Sequence, residues 1–147
     1  MNNTAVKAKI LLVEDNPMDV YLLRRALTEA QMDLDFTVID DGAEALALIR
    51  KQGKYSDVPI PDLAILDLNL PKHDGLEVLE AMRASAGFGQ VPVVILTSSL
   101  SRRDQLRAEG FRIRQYITKP LNFEGFLQVA AKLKALLAGG PLASPVD

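Results

Sequence analysis

The chain reads as an α/β protein built on a doubly wound parallel sheet of five strands. Short apolar runs alternate with segments whose apolar residues recur at helical spacing, the pattern of repeated βα units. Asn, Asp and Ser residues stand just ahead of those helical segments, where their side chains can accept from free N–H groups. No internal repeat or long linker divides the 147 residues, so one domain is expected to hold every unit. Right-handed crossovers then place helices on both faces, and strand order 2-1-3-4-5 is the common five-stranded solution.

The first strand covers Lys9 to Val13. Asn16 caps the following helix with Pro17 at its first position, where a missing N–H costs nothing, and Val20, Leu23, Leu27 and Ala30 form the apolar face. The second strand is Phe36 to Ile39. Asp41 with Glu44 three residues on has the form of a capping box opening a helix from Ala43 to Lys51, with Gly53 as its stop.

A polar loop from Lys54 to Pro61 precedes the third strand, Leu63 to Leu66. Asp74 and Glu77 repeat the capping pattern for a helix carrying Leu76, Leu79 and Met82, which closes near Gly87. The fourth strand runs from Val91 to Leu96. Ser101 with Asp104 opens a short charged helix ending at Gly110, and the fifth strand runs from Arg114 to Thr118. Asn122 caps a last helix with Phe126, Leu127, Ala130, Leu133 and Leu137 at core spacing. Residues 1–138 are expected to form the domain and 139–147 a frayed tail, with no output domain.

Composition narrows the function. Hydrophobic content of 48% with 24% charged residues is that of a folded globular chain. No apolar run approaches the length of a membrane span, and Met1 to Lys9 contains no apolar signal-peptide core, so no membrane role and a cytoplasmic location are expected. The absence of cysteine excludes disulfides and thiolate metal sites, and a single histidine, His73, excludes a multi-histidine site. His73 follows Pro71-Lys72 in a loop, the setting of an exposed bystander. A net charge of −2 argues against a nucleic-acid partner. The local basic group Arg102, Arg103, Arg107, Arg112 and Arg114 has Asp104, Glu109 and Glu124 close by, which makes it a solvated or salt-bridged face; a phosphate-binding patch is the alternative.

The strand ends carry the chemistry. Leu11-Leu12-Val13 runs into Glu14-Asp15, Leu63 to Leu66 into Asp67, Val93 to Leu96 into Thr97, and Tyr116-Ile117-Thr118 into Lys119-Pro120. In the order 2-1-3-4-5, strands 1 and 3 meet at the topological switch point, and ligands bind beyond the carboxyl ends of such strands. Clustered carboxylates repel one another, and a hard divalent cation such as Mg²⁺ relieves the repulsion. With the field neutralised, an Asp67 oxygen can approach a phosphoryl group, for which Lys119 supplies a point cation and Thr97 a hydroxyl donor.

Val13-Glu14-Asp15-Asn16, Ile65-Leu66-Asp67-Leu68-Asn69-Leu70-Pro71 with Gly75 after it, Leu96-Thr97-Ser98 and Tyr116-Ile117-Thr118-Lys119-Pro120 together resemble the receiver domain of two-component response regulators, with its CheY-like, flavodoxin-like fold. The match spans roughly Lys9 to Leu137, and its specificity lies in the ordered combination. The resemblance implies that Asp67 is the phosphoacceptor, phosphorylated by a sensor histidine kinase. It implies Mg²⁺ held by Asp15, Asp67 and the Asn69 backbone carbonyl, with Glu14 acting through water. It also implies that Thr97 bonds the phosphoryl group, that Tyr116 turns inward as Thr97 is drawn toward it, and that Lys119 pairs with it, aimed by a cis bond before Pro120. Glu14 departs from the commoner Asp at its position.

Asn16-Pro17-Met18-Asp19, the extended loop before strand 3, Lys72-His73-Asp74-Gly75 and Ile117-Thr118-Lys119-Pro120-Leu121-Asn122-Phe123 are similar to the stand-alone regulators paired with bacterial phytochromes. That likeness implies a bacteriophytochrome kinase as partner and a homodimer through the strand 5 and last-helix side. Plainer readings stand beside these. Asp67 can be a buried acid salt-bridged to Lys119, Glu14 and Asp15 helix-start acids, and Tyr116 a half-buried strand aromatic. The rival function is a Mg²⁺-dependent phosphatase with an aspartyl-phosphate intermediate. Such enzymes place an acid–base Asp two residues after the nucleophile, and Asn69 stands there instead. An FMN protein is disfavoured because the Glu14-Asp15 loop repels phosphate.

Overall fold

In a computed structural model, residues 7–139 are described. The expected tail, apart from Gly139, and residues 1–6 lie outside that range. Five parallel strands, β1 (Ala8–Val13), β2 (Leu34–Ile39), β3 (Leu63–Leu66), β4 (Val93–Thr97) and β5 (Gln115–Thr118), form one sheet in the order β2-β1-β3-β4-β5. The connecting helices are α1 (Pro17–Glu29), α2 (Gly42–Ile49), α3 (Gly75–Ala84), α4 (Arg102–Glu109) and α5 (Phe123–Ala138). The expected architecture and strand order are those observed.

Side chains that alternate along each strand supply two cores. Leu11 and Val13, Ala64 and Leu66, and Val93 and Ile95 face one layer with α2 and α3. Ile10 and Leu12, Leu63 and Ile65, and Val94 and Leu96 face the other, against α1 and α5. Burial on both faces explains why the central strands are continuous apolar runs. Each fully buried aliphatic side chain contributes about 1.5–3 kcal/mol.

The caps operate as the sequence reading expects. Asn16 Oδ1 accepts from the Met18 and Asp19 N–H groups, Asn122 Oδ1 from Gly125, and Ser101 Oγ from Asp104. Asp74 and Glu77 form the full reciprocal box. Asp41 caps Glu44, but the return bond is missing: the Glu44 carboxylate instead accepts from the Tyr55 hydroxyl.

Some helix ends differ from expectation. The second helix stops at Ile49, because Lys51 itself takes the left-handed conformation (φ 55°) and Gly53 opens a 3-10 turn, Gly53–Tyr55, in the expected loop. That turn is fastened by Tyr55 to Glu44. The third helix ends at Ala84 before Ser85, whose hydroxyl accepts from the Gly87 and Phe88 N–H groups. Arg83 near its end is a tertiary fastener. Its guanidinium donates to the carbonyls of Phe111 (2.7 Å), Val91 (2.8 Å) and Gly89 (3.2 Å), tying α3 to the entries of β4 and β5.

Candidate functional site

Ladder hydrogen bonds fix the height of the strand-end residues. Val13 pairs with Leu66, and Leu66 with Ile95. The bonding continues one residue past the strands: Glu14 N–H donates to Ile39 (2.9 Å), Asp67 N–H to Val13 (3.0 Å) and Lys119 N–H to Thr97 (2.8 Å). The backbone alone therefore sets Glu14, Asp67, Thr97 and Lys119 side by side along the carboxyl edge of the sheet.

Asp67 and Glu14 are 3% exposed and Thr97 is fully buried. Asp67 is nonetheless well partnered, as a buried carboxylate must be. Its Oδ1 accepts from the Thr97 hydroxyl (2.7 Å) and the Asn69 N–H (2.9 Å), and its Oδ2 from Lys119 Nζ (2.7 Å). Lys119 Nζ also lies 2.9 Å from Glu14 Oε1 and 2.8 Å from Asp19 Oδ2. The plain pairing of Asp67 with Lys119 is thus present, as part of a larger network.

Charge in this network is unevenly held. Burial pushes the Glu14 carboxyl up to about 7; Lys119 beside it lowers it, and Asp67 adds to the rise. Burial alone would lower the Lys119 ammonium, but hydrogen bonds to Asp19, Asp67 and Glu14 outweigh it and hold Lys119 above the ordinary lysine value.

The donor set fits a hard divalent cation. Glu14, Asp15 and Asp67 each bring a carboxylate oxygen to within 4.8 Å of the others, with Asp15 exposed and open to water. Oxygen donors with room for waters are what Mg²⁺ requires. Gly75 packs against the backbone that follows β3: its N–H donates to the Leu68 carbonyl (2.9 Å), and a Cβ there would lie 2.6 Å from Leu68 Cα. The start of α3 can approach the end of β3 only because no side chain intervenes.

Tyr116 is half-buried and its hydroxyl donates to the Ser99 carbonyl (3.2 Å), on the loop that follows Thr97. The Ser99 N–H in turn donates to Thr97 Oγ1 (3.2 Å), so Thr97 and Tyr116 are joined through one loop residue. The expected cis bond before Pro120 is absent: the described residues contain no cis peptide bond. Trans is the favoured isomer by ~0.5–1 kcal/mol, and Lys119 reaches all three carboxylates from it.

His73 lies outside the site, its Nδ1 3.3 Å from Glu77. Arg102, Arg103, Arg107 and Arg112 are exposed, as expected of a solvated face. The residue that sequence reading missed as a site member is Asp19. Its type and place in the first turn of α1 are those of an ordinary helix-start acid, and only the approach of Lys119 from β5 distinguishes it.

A parallel sheet with an acidic crevice at its switch point, flanked by a hydroxyl and an ammonium, is arranged to hold a divalent cation beside an anionic group. The model of the response regulator receiver domain matches residues 10–131, and the chain belongs to that family. It is 34% identical over 126 residues to the response regulator Rcp1 of Synechocystis sp., covering 86% of each chain. Its fold is similar to that of the phosphorylated cyanobacterial phytochrome response regulator RcpA, with a TM-score of 0.86, 35% identity and coverage of 95% of this chain and 100% of that one. The bacteriophytochrome response regulator AtBRR is 36% identical with a TM-score of 0.72, covering 97% of this chain and 99% of that one.

The protein is therefore a receiver-domain response regulator of the two-component type, homologous to phytochrome response regulators. Receiver domains take phosphate from histidine kinases and bind Mg²⁺ or Mn²⁺ at their acidic site, and a solved form of Rcp1 is Mn²⁺-bound. No helix among the described residues is long and apolar enough to cross a membrane.

Proposed function

We propose that Asp67 accepts a phosphoryl group from a phosphohistidine of a phytochrome-type sensor kinase, and that the aspartyl phosphate is the signal. The observation that carries this is the convergence of Thr97, Lys119 and the Asn69 N–H on a buried Asp67 beside an acidic cation site. In the transfer, an Asp67 oxygen attacks phosphorus, the P–O bond forms as the P–N bond breaks, and the imidazole leaves with the bonding pair. Asp15, Asp67 and the Asn69 carbonyl would hold Mg²⁺ directly and Glu14 through water. Bound there, the ion supplies charge neutralisation for the phosphoryl oxygens.

Lys119 pairs with a phosphoryl oxygen, and Thr97 turns its hydroxyl from Asp67 to another. Because Ser99 is bonded to both Thr97 and Tyr116, that turn loosens the Tyr116 hydroxyl and lets the ring move inward. Residues 10–131, the span that the receiver-domain model matches, act as a single receiver unit. A homodimer through the β5 and α5 side belongs to the same reading, supported by the likeness to phytochrome regulators.

Beryllofluoride with Mg²⁺ should bind the protein and shift the Thr97 and Tyr116 resonances, whereas Asp67→Asn abolishes binding. Equal binding by Asp67→Asn would overturn the assignment. The phosphatase reading has no comparable support, because Asn69 cannot shuttle a proton. Sedimentation velocity with and without beryllofluoride tests the dimer.

A further inference from the structure

Lys119 has three N–H donors, and three carboxylates surround them: Asp67 at 2.7 Å, Asp19 at 2.8 Å and Glu14 at 2.9 Å. Phosphorylation treats these partners differently. Acyl phosphate formation removes the carboxylate charge of Asp67, and Glu14 belongs to the carboxylate group that could hold the cation. Asp19 stands outside that group, on α1, and keeps both its charge and its hold on the ammonium.

We infer that Asp19 is a positioning residue that sets phosphoryl-group affinity by competing with phosphoryl oxygens for the Lys119 ammonium. The inference rests on the reading of Asp67 as phosphoacceptor and adds a determinant of how tightly that site holds its ligand.

The placement of Asp19 is built into the fold. Asn16 Oδ1 accepts from the Asp19 N–H (3.3 Å) at the capped start of α1, and the positive end of the helix favours an acid there. The Asp19 side chain is only 19% exposed, so its charge is incompletely screened.

Two effects of Asp19 on Lys119 oppose each other. It could orient the ammonium toward Asp67, or it could draw charge away from an incoming phosphoryl group. Orientation has other sources: the Lys119 backbone N–H is bonded to Thr97 (2.8 Å), and its side chain is 11% exposed. Competition has no such substitute. A fixed negative charge a few ångströms from a dianion repels it, and an N–H given to Asp19 is one not given to phosphate. Competition therefore wins. For a cation the sign reverses, since the Asp19 charge adds to the field that attracts Mg²⁺.

Asp19→Asn keeps the shape and removes the charge. Calorimetry should show beryllofluoride binding at saturating Mg²⁺ strengthened about tenfold, the scale of one partly screened unit charge at ~6 Å. Mg²⁺ binding without beryllofluoride should weaken by roughly threefold by the same electrostatics. Asp19→Glu should restore both values toward wild type. A merely structural role cannot give opposite signs. Unchanged affinities, or a parallel loss of both, overturn the inference, and Asp19→Ala with a measured melting temperature separates misfolding from either result. Wild-type protein that fails to bind beryllofluoride, or binds it without Asp67, instead overturns the phosphoacceptor reading itself.

Discussion

The Thr97 hydroxyl donates to Asp67 Oδ1 over 2.7 Å, joining the ends of two neighbouring strands across thirty residues of sequence. Both side chains are buried, so this bond is shielded from water. Thr97→Val keeps the volume and deletes the donor. Hydrogen bonds to charged groups contribute about 1.5–3 kcal/mol, and Asn69 and Lys119 still serve Asp67, so a loss near ~1.5 kcal/mol is expected in urea unfolding. Beryllofluoride should still bind Thr97→Val but leave the Tyr116 resonances unmoved.

Glu14 is expected to couple metal binding to pH. Its carboxyl is raised from 4.5 to about 7, chiefly by burial, so the metal-free fold holds a proton that an unfolded chain would release. This contribution to stability is fully present below the ordinary carboxylate value and is lost as pH rises through about 7. Metal binding runs the other way, because a bound cation displaces the proton. Apparent Mg²⁺ affinity should rise by up to about tenfold per pH unit below 7 and level off above it. Titration calorimetry from pH 6 to 8 in buffers of different ionisation enthalpy checks this, and Glu14→Gln should flatten the profile.

Gly75 allows α3 to start against the end of β3. An alanine Cβ would overlap the Asp67 carbonyl oxygen and lie 2.6 Å from Leu68 Cα, so backbone must move. Overpacking of this kind costs about 1–3 kcal/mol. Gly75→Ala should lower stability by that amount and weaken beryllofluoride binding, measured by urea titration and calorimetry, since the displaced backbone carries Asp67.

Arg83 is tested by deletion and by exchange. Its guanidinium serves the carbonyls of Gly89 and Val91 from the loop before β4 and of Phe111 from the loop before β5. Arg83→Ala leaves part-buried acceptors without a donor and should cost about 2–4 kcal/mol. Arg83→Lys should recover little, because an ammonium cannot span a planar fork of acceptors. Urea unfolding midpoints for the two variants, read against wild type, check both expectations.

Tyr55 makes a spectroscopic prediction. Its hydroxyl donates to Glu44, and this bond, with burial and the Glu44 charge, pushes the phenol up to about 12. The neutral phenol stabilises the fold fully below the ordinary value near 10, and that contribution fades as pH rises through about 12. The chain has no tryptophan, so phenolate absorbance is unobscured. Tyr55→Phe or Glu44→Gln should remove a late-titrating component from the ultraviolet titration.

By itself the sequence determined the alternation of strands and helices, the helix-capping residues and which polar residues stand at the strand ends. These are local: Asn16, Ser101 and Asn122 act within a few residues, and apolar runs buried on both faces announce central parallel strands. Glu14, Asp67, Thr97 and Lys119 were legible because each stands at the end of such a run. Tertiary structure decided what depends on distant partners. Asp19 joins the site only because Lys119, from β5, reaches α1. Glu44 leaves its capping box because Tyr55 offers a donor eleven residues on. Arg83 is an ordinary helix residue until the loops before β4 and β5 present their carbonyls. The Lys119–Pro120 bond was likewise settled in three dimensions, where the trans isomer suffices to bring the ammonium to Asp67. Side-chain bonds between remote segments follow from the packing of whole elements, which no short window of sequence encodes.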